Sequence, residues 1–371
     1  MRKGMWALLA LLAAGLAFPA AGVTRQSGGT LNMIAWQGYL QPQWVKPFTQ
    51  QTGCRVHPKY ASSSDEMVAL MRTGGGGQYD MVSASGDASL RLIYGKDVQP
   101  IDPSKIPDFK NFGRAFRSPP TNTVGGKHYG ISLQWGPNTL LYNTQKVRPA
   151  PTSWSAIYSR KYRGKITIPD NTIQIADAAL YLMKTRPSLG IKDPYELNSA
   201  QFNATMTLLK RQKPLLKKLW SSATDEIDLF KSGDAVIGAA WPYQLSQLQG
   251  AKAPMKDLIP KEGATGWLDT WMVSAHTKNL SCAYKWLAYI STPKVQAQQA
   301  TNYGETPVNP KACPIMNRLA PRSCVKYHAT APLRYFKQLY FWKTPIADCG
   351  NGKKDCMDYT KWQQAWTQLK G

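Results

Sequence analysis

Apolar and polar positions along the first hundred residues fall into short alternating units. Residues 31–36 (LNMIAW) form an apolar run of strand length, and residues 43–51 follow at helical spacing. Residues 55–60 read as a second strand. A helix then opens at Ser63, because Ser63-x-x-Glu66 has the form of a capping box and Met67, Val68, Leu70 and Met71 follow it. The glycines at 74–77 end that helix, and residues 79–83 (YDMVS) are the third strand. Strands alternating with helices in this way predict an α/β fold with a largely parallel sheet.

In such sheets ligands bind beyond the carboxyl ends of the strands, so the residues placed there carry information. Trp36, Gln37, Gly38 and Tyr39 follow the first strand, and Ala84, Ser85, Gly86, Asp87 and Ala88 follow the third. Trp241, Pro242 and Tyr243 follow the run 235–239 (AVIGA), and Trp267, Asp269 and Trp271 lie in 266–273 (GWLDTWMV). Aromatic rings beside a carboxylate make a box suited to a cation. The plain alternative is that these rings are core. Four clusters at strand ends favour a site.

The amino-terminal stretch reads differently. Arg2 and Lys3 precede the apolar run 6–18 (WALLALLAAGLAF), and small residues surround a cleavage point near 19–22. This is the pattern of a secretory signal over residues 1–22, too short for a lasting span of a bilayer about 30 Å thick. No cysteine stands near the cleavage point to take a lipid, and no later apolar run reaches spanning length. The expected location is therefore a periplasm, with no membrane insertion once the signal is removed.

The remaining length, about 350 residues, is ample for two lobes. Cys54, Cys282, Cys313, Cys324, Cys349 and Cys356 are an even set, which in an exported chain predicts disulfides. The short separations favour Cys313 with Cys324 and Cys349 with Cys356, leaving Cys54 with Cys282. Six cysteines permit fifteen pairings. Formal net charge is +24, or +22 without Arg2 and Lys3. The basic residues are scattered, apart from 210–218 (KRQKPLLKK), and no nucleic-acid motif accompanies them, so a nucleic-acid partner is not expected.

Catalytic and metal chemistry find little support in the spacing. None of the four histidines, His57, His128, His276 and His328, stands in a zinc motif, and Ser85 is not in a GxSxG elbow. Asp80 reads as a strand-start residue, and no Tyr-Tyr pair offers a ferric-iron site. No metal, cofactor or enzymatic activity is expected; a secreted hydrolase is the competing class.

The ordered series TLNMIAWQGYL, SSSDEMVALM, YDMVSASGDASLRLI, ISLQWGPNTLLYN, DAVIGAAWPY, PKEGATGWLDTWMVSAHTKN and YGETPVNPKA resembles the spermidine/putrescine-binding proteins of ABC importers, over about residues 28–312. The resemblance implies a two-lobed type II periplasmic binding protein fold, whose lobes are joined by crossing hinge strands and close on ligand. It places crossings near 133–136 and 259–263, with 28–134 and 260–312 as one lobe and 135–259 as the other. Its implied function is delivery of a small amine-bearing solute, as a monomer, to an inner-membrane ABC permease.

Carried over residue by residue, Trp36 and Tyr39 match first-loop aromatics, and Ser85 or Asp87 a loop position. Asp269 and Trp267 match a ligand-contacting acid and its aromatic neighbour. Trp241 and Tyr243 stand where the family has a Trp-x-x-Asp pair, but the acidic place is taken by Pro242 or Gln244; Trp135, in ISLQWGPN, joins the set. Near Asp170 and Asn171 the second acid is also missing. A solute with one ammonium and a less basic or anionic end, such as 4-aminobutyrate, therefore stands beside a diamine. Residues 313–371 fall outside the strong match and are expected to form a helical, cysteine-stapled segment with Trp362 and Trp366 on one helix face.

Overall fold

The computed structural model describes residues 28–330, 333–349 and 352–371; the signal reading of residues 1–22 lies outside them. The first sheet holds β1 (Thr30–Trp36), β2 (Arg55–Ala61) and β3 (Met81–Ala84). A short ribbon, β4 (Thr123–Val124) with β5 (Lys127–His128), leads into β6 (Gly130–Pro137). The second sheet is built from β7 (Thr139–Asn143), β8 (Ile166–Pro169), β9 (Leu216–Trp220), β10 (Ile237–Ala240) and β11 (Met255–Leu258). The chain then returns to the first sheet through β12 (Ala264–Val273), β13 (Thr306–Pro307) and β14 (Leu339–Phe341).

Strand order is β13-β6-β12-β3-β1-β2 in the first sheet, with β14 on β12, and β11-β7-β10-β8-β9 in the second. The strands β1, β2 and β3 pair in parallel, as do β8, β9 and β10. The strands that carry the chain between lobes, β6, β7, β11 and β12, pair antiparallel with their neighbours, apart from the parallel β12–β14 pair. The sheets are thus mixed rather than largely parallel, because each crossing strand enters its sheet against the direction of the βα units. All ten residues of β12 are buried, as a central strand covered on both faces requires.

Local chemistry explains the first units. Ser63 caps the helix Ser64–Arg72, its Oγ accepting from the Glu66 N–H at 3.1 Å. The Glu66 carboxylate accepts from the Ser62 N–H rather than from that of Ser63, so the box is displaced by one residue. Asp80 precedes β3 and accepts from the Asn32 N–H, Thr277 Oγ1 and Asn279 Nδ2, tying β1 to the loop after β12. Its part is structural.

The first crossing falls at Asn138, beyond the 133–136 stretch expected for it, which lies inside β6. The Asn138 amide donates to Thr265 Oγ1 at 2.9 Å and to Asp177 at 3.2 Å, and its N–H to the Thr265 carbonyl at 2.8 Å. One side chain so links the hinge, β12 and the helix Gln174–Thr185 of the second lobe. The second crossing, 259–263, is held where the Trp154 indole donates to the Gly263 carbonyl and Ser153 to Glu262.

Disulfides join Cys54 to Cys282, Cys313 to Cys324, and Cys349 to Cys356. The segment 313–371 is not wholly helical, since it lays β14 beside β12. Its last helix, Tyr359–Lys370, packs on the second lobe, with the Trp362 ring 5.9 Å from that of Phe202. Among the described residues no helix is long and apolar enough to cross a membrane.

Candidate functional site

A cleft of about 500 Å³ lies between the two sheets. The carboxyl ends of four strands deliver its walls. Trp36 ends β1, Ser85 follows β3, Trp220 ends β9, and Trp241 and Tyr243 follow β10. Pro242 stands at the first position of the helix Pro242–Gly250, where its missing N–H costs nothing, and it carries Tyr243 into the opening.

Asp269 arrives by another route, from inside β12. The register of β12 on β6 shifts between Leu268 and Thr270, so that Leu133 and Gln134 together stand opposite Asp269. The extra residue belongs to β6, while β12 keeps its alternation, which sets Asp269 on the same face as Trp267. Ser85 Oγ donates to Asp269 Oδ1 and the Tyr39 phenol to Oδ2. Ser85 sits at the N-cap of the helix Gly86–Tyr94 but makes no side-chain cap bond, its hydroxyl being committed to Asp269. Burial raises the Asp269 carboxyl to about 7, against the lowering effect of these two bonds.

The rings pack edge to face. Trp36 and Trp241 meet at 5.5 Å across the lobes, and Trp220 stands 4.7 Å from Trp241. Tyr303 lies 4.8 Å from Tyr39 and 4.5 Å from Tyr243. Gly38, at φ 96°, makes this possible: a Cβ there would come within 2.6 Å of the Tyr303 hydroxyl. The lobes also touch through Gln37 Nε2 to Thr224 Oγ1 at 2.6 Å and Thr172 Oγ1 to Asp65 at 2.9 Å. The indole N–H groups of Trp36, Trp241 and Trp267, with the Tyr303 hydroxyl, have no hydrogen-bond partner in the protein. Buried donors without partners are costly, and here they line one space.

Of the residues expected to face ligand, Trp36, Tyr39, Ser85, Trp241, Tyr243, Trp267 and Asp269 are brought together. Asp87 is not. It is fully buried, accepts from Ser64 Oγ at 2.9 Å, and is raised to about 6 by burial, so it binds the helix Gly86–Tyr94 to Ser64–Arg72. Trp135 also faces elsewhere. Its cross-strand partner is Leu268, and paired residues share a face, whereas the neighbours Trp267 and Asp269 point to the other side. Trp135 packs against Phe336 and Phe341 beside a second cavity of about 940 Å³ behind the hinge. Asp170 is likewise outside the cleft, engaged by Lys370 at 3.0 Å and the Trp366 indole at 2.9 Å.

The sequence reading missed Trp220, Tyr303, Glu305 and Trp342. Trp220 obeys the strand-end rule, but the lysines of 210–218 mask the short strand before it. Tyr303 and Glu305 flank Gly304, whose φ of 79° ends the helix Pro293–Tyr303 in a left-handed cap; Tyr-Gly-Glu after an amphipathic run was the available signal. Trp342 had none, because it follows a strand in the segment outside the resemblance. No Lys, Arg or His is among the described residues lining the cleft.

A family model of bacterial extracellular solute-binding proteins matches residues 43–316. The spermidine/putrescine-binding periplasmic protein of Escherichia coli (strain K12) is 26% identical over 300 residues, 81% of this chain and 83% of that one. Among solved structures, the spermidine/putrescine ABC transporter substrate-binding protein of Streptococcus pneumoniae superposes with a TM-score of 0.69 at 21% identity, over 92% of this chain and 99% of that one. A solved GABA receptor superposes at 0.63 and 20% identity, over 83% and 93% of the two chains. These two likenesses show the fold.

Proposed function

The chain belongs to the bacterial extracellular solute-binding protein family, and from that premise we propose that it captures a small cationic amine for an ABC importer. One observation carries the reading. The Asp269 carboxylate, positioned by Ser85 and Tyr39, lies in a cleft walled by aromatic rings and without a basic side chain. Ring faces and a desolvated carboxylate both favour an ammonium, and a carboxylate-ended solute would find no counter-charge there. The charge of +24 belongs to the whole chain, while the cleft itself is acidic.

The name of the Escherichia coli relative agrees with an amine solute, and delivery to an inner-membrane permease from a periplasm follows the family pattern. The exchange is binding and release, with the lobes closing over the solute about the crossings at Asn138 and 259–263.

Thermal shift and isothermal titration with putrescine, spermidine and 4-aminobutyrate test the reading. An amine present at 100 times its dissociation constant adds about 2.7 kcal/mol to stability. Stabilisation by 4-aminobutyrate alone, or by none of the three, would sink it.

A further inference from the structure

Resting on the amine reading, we propose that Glu305 is the second counter-charge of the cleft, so that the first lobe holds both ends of a short dication. The second lobe then supplies only rings and hydroxyls.

The residues that precede and follow Glu305 set its place. Gly304 closes the helix Pro293–Tyr303, the N–H groups of Gly304 and Glu305 both donating to the Ala300 carbonyl. Thr306 then pairs with Trp135 of β6. Glu305 is therefore pinned between a helix end and a sheet edge. The residue, 3% exposed, lines both the cleft and the cavity behind the hinge, and its carboxyl lies close enough to Asp269 and Tyr39 to act on them electrostatically. Its Oε2 has no hydrogen-bond partner in the protein. Tyr303, two residues before it, presents an unpartnered hydroxyl to the same cleft.

A buried carboxylate without a partner is costly when charged, and burial together with nearby Asp269 pushes the Glu305 carboxyl well above its usual range. A second ammonium would relieve that cost by taking the place of the proton. Asp269 is unsuited to hold two cations, since each of its oxygens already accepts a hydroxyl.

Among the described residues lining the cleft, the second lobe supplies no carboxylate. Its residues in the cleft are Trp220, Ser221, Ser222, Ala223, Trp241 and Tyr243. Beside them, Asp225 accepts from Lys218 at 2.6 Å and from the Ser221 N–H at 3.1 Å. The positions where the resemblance called for an acid hold Pro242 and Gln244, and Asp170 is tied to the final helix.

Titration calorimetry of the full chain with putrescine and n-butylamine, in two buffers of different ionisation heat, tests the assignment. Wild type should bind putrescine at least about tenfold more tightly than n-butylamine and release more protons in doing so. In Glu305→Gln the affinity for putrescine should fall at least about tenfold more than that for n-butylamine, and the extra proton release should vanish. Equal losses for both amines, an unchanged preference, or equal proton release by both in wild type would overturn it. If Glu305→Gln fails to fold, the wild-type preference and proton count still decide. Absence of binding by either amine to wild type would instead remove the amine reading on which the inference rests.

Discussion

The phenol of Tyr39 donates to the Asp269 carboxylate across 230 residues of chain. This bond joins the loop after β1 to the centre of β12, and its donor ring is also packed on Tyr303. Tyr39→Phe keeps the ring and removes the donor. Hydrogen bonds to charged groups contribute about 1.5–3 kcal/mol. Amine affinity is expected to fall roughly tenfold or more, and the melting temperature to fall modestly as well, because Asp269 Oδ2 loses a buried partner. Calorimetry beside a melting curve checks both halves.

Asp269→Ala removes the counter-charge itself. Losing one partner of a buried charge pair costs about 2–5 kcal/mol, so binding should weaken at least thirtyfold or so. Asp87→Asn is the matched comparison, because Asp87 bonds Ser64 and lies outside the cleft. Its effect belongs on stability. An Asp87→Asn protein that folds normally but loses ligand would contradict the placement.

Ligand affinity should depend on pH in a definite direction. The Asp269 carboxyl is raised to about 7 by burial, and a cation binds its ionised form. Affinity for an amine is thus expected to climb as pH rises through 7, by up to roughly tenfold per unit below it. Titrations at pH 6, 7 and 8 read this directly; a flat profile would count against Asp269 as the counter-charge.

The hinge carboxyl of Asp177 makes a separate prediction about stability. Burial raises it to about 7, against the hydrogen bonds from Thr265 and Asn138. A carboxyl with a raised folded value binds its proton more tightly than the unfolded chain does. Its contribution is full below the ordinary carboxylate range and is lost as pH rises to about 7. In Asp177→Asn the fall in melting temperature between pH 5 and 7 should be smaller than in wild type. An identical fall in both proteins would exclude Asp177 as its source.

The Cys54–Cys282 bond joins the residue before β2 to the helix Leu280–Ile290 over a separation of 228. Closing so long a loop constrains the unfolded chain, and its removal should cost about 2–5 kcal/mol. Cys54→Ser with Cys282→Ser is expected to melt several degrees lower while keeping ligand affinity, because neither residue touches the cleft. Scanning calorimetry with and without putrescine separates the two effects.

How far the residues alone led is visible at single positions. That Trp36 and Trp241 stand at strand ends was legible because β1 and β10 are short apolar runs, and those ends line the cleft. Ser63 was legible as a cap because capping is a contact between near neighbours. Asp87 misled for the same local reason: two residues after Ser85 it stands on a helix, and rotation about that helix turned it toward Ser64. Trp135 misled because alternation along β6 depends on a register that only pairing with β12 establishes.

The local pattern by itself determined the strand–helix units and their order, since periodicity and capping act over a few residues. Its series of motifs carried the likeness to a solute-binding family, and the spacing of the last four cysteines favoured their pairing. Tertiary structure decided what the cleft contains. It set which face of β12 turns Asp269 to the cleft, the left-handed turn at Gly304 that presents Glu305, and the return of β14 that brings in Trp342. Those depend on contacts between residues up to hundreds of positions apart, whose energies no local pattern encodes.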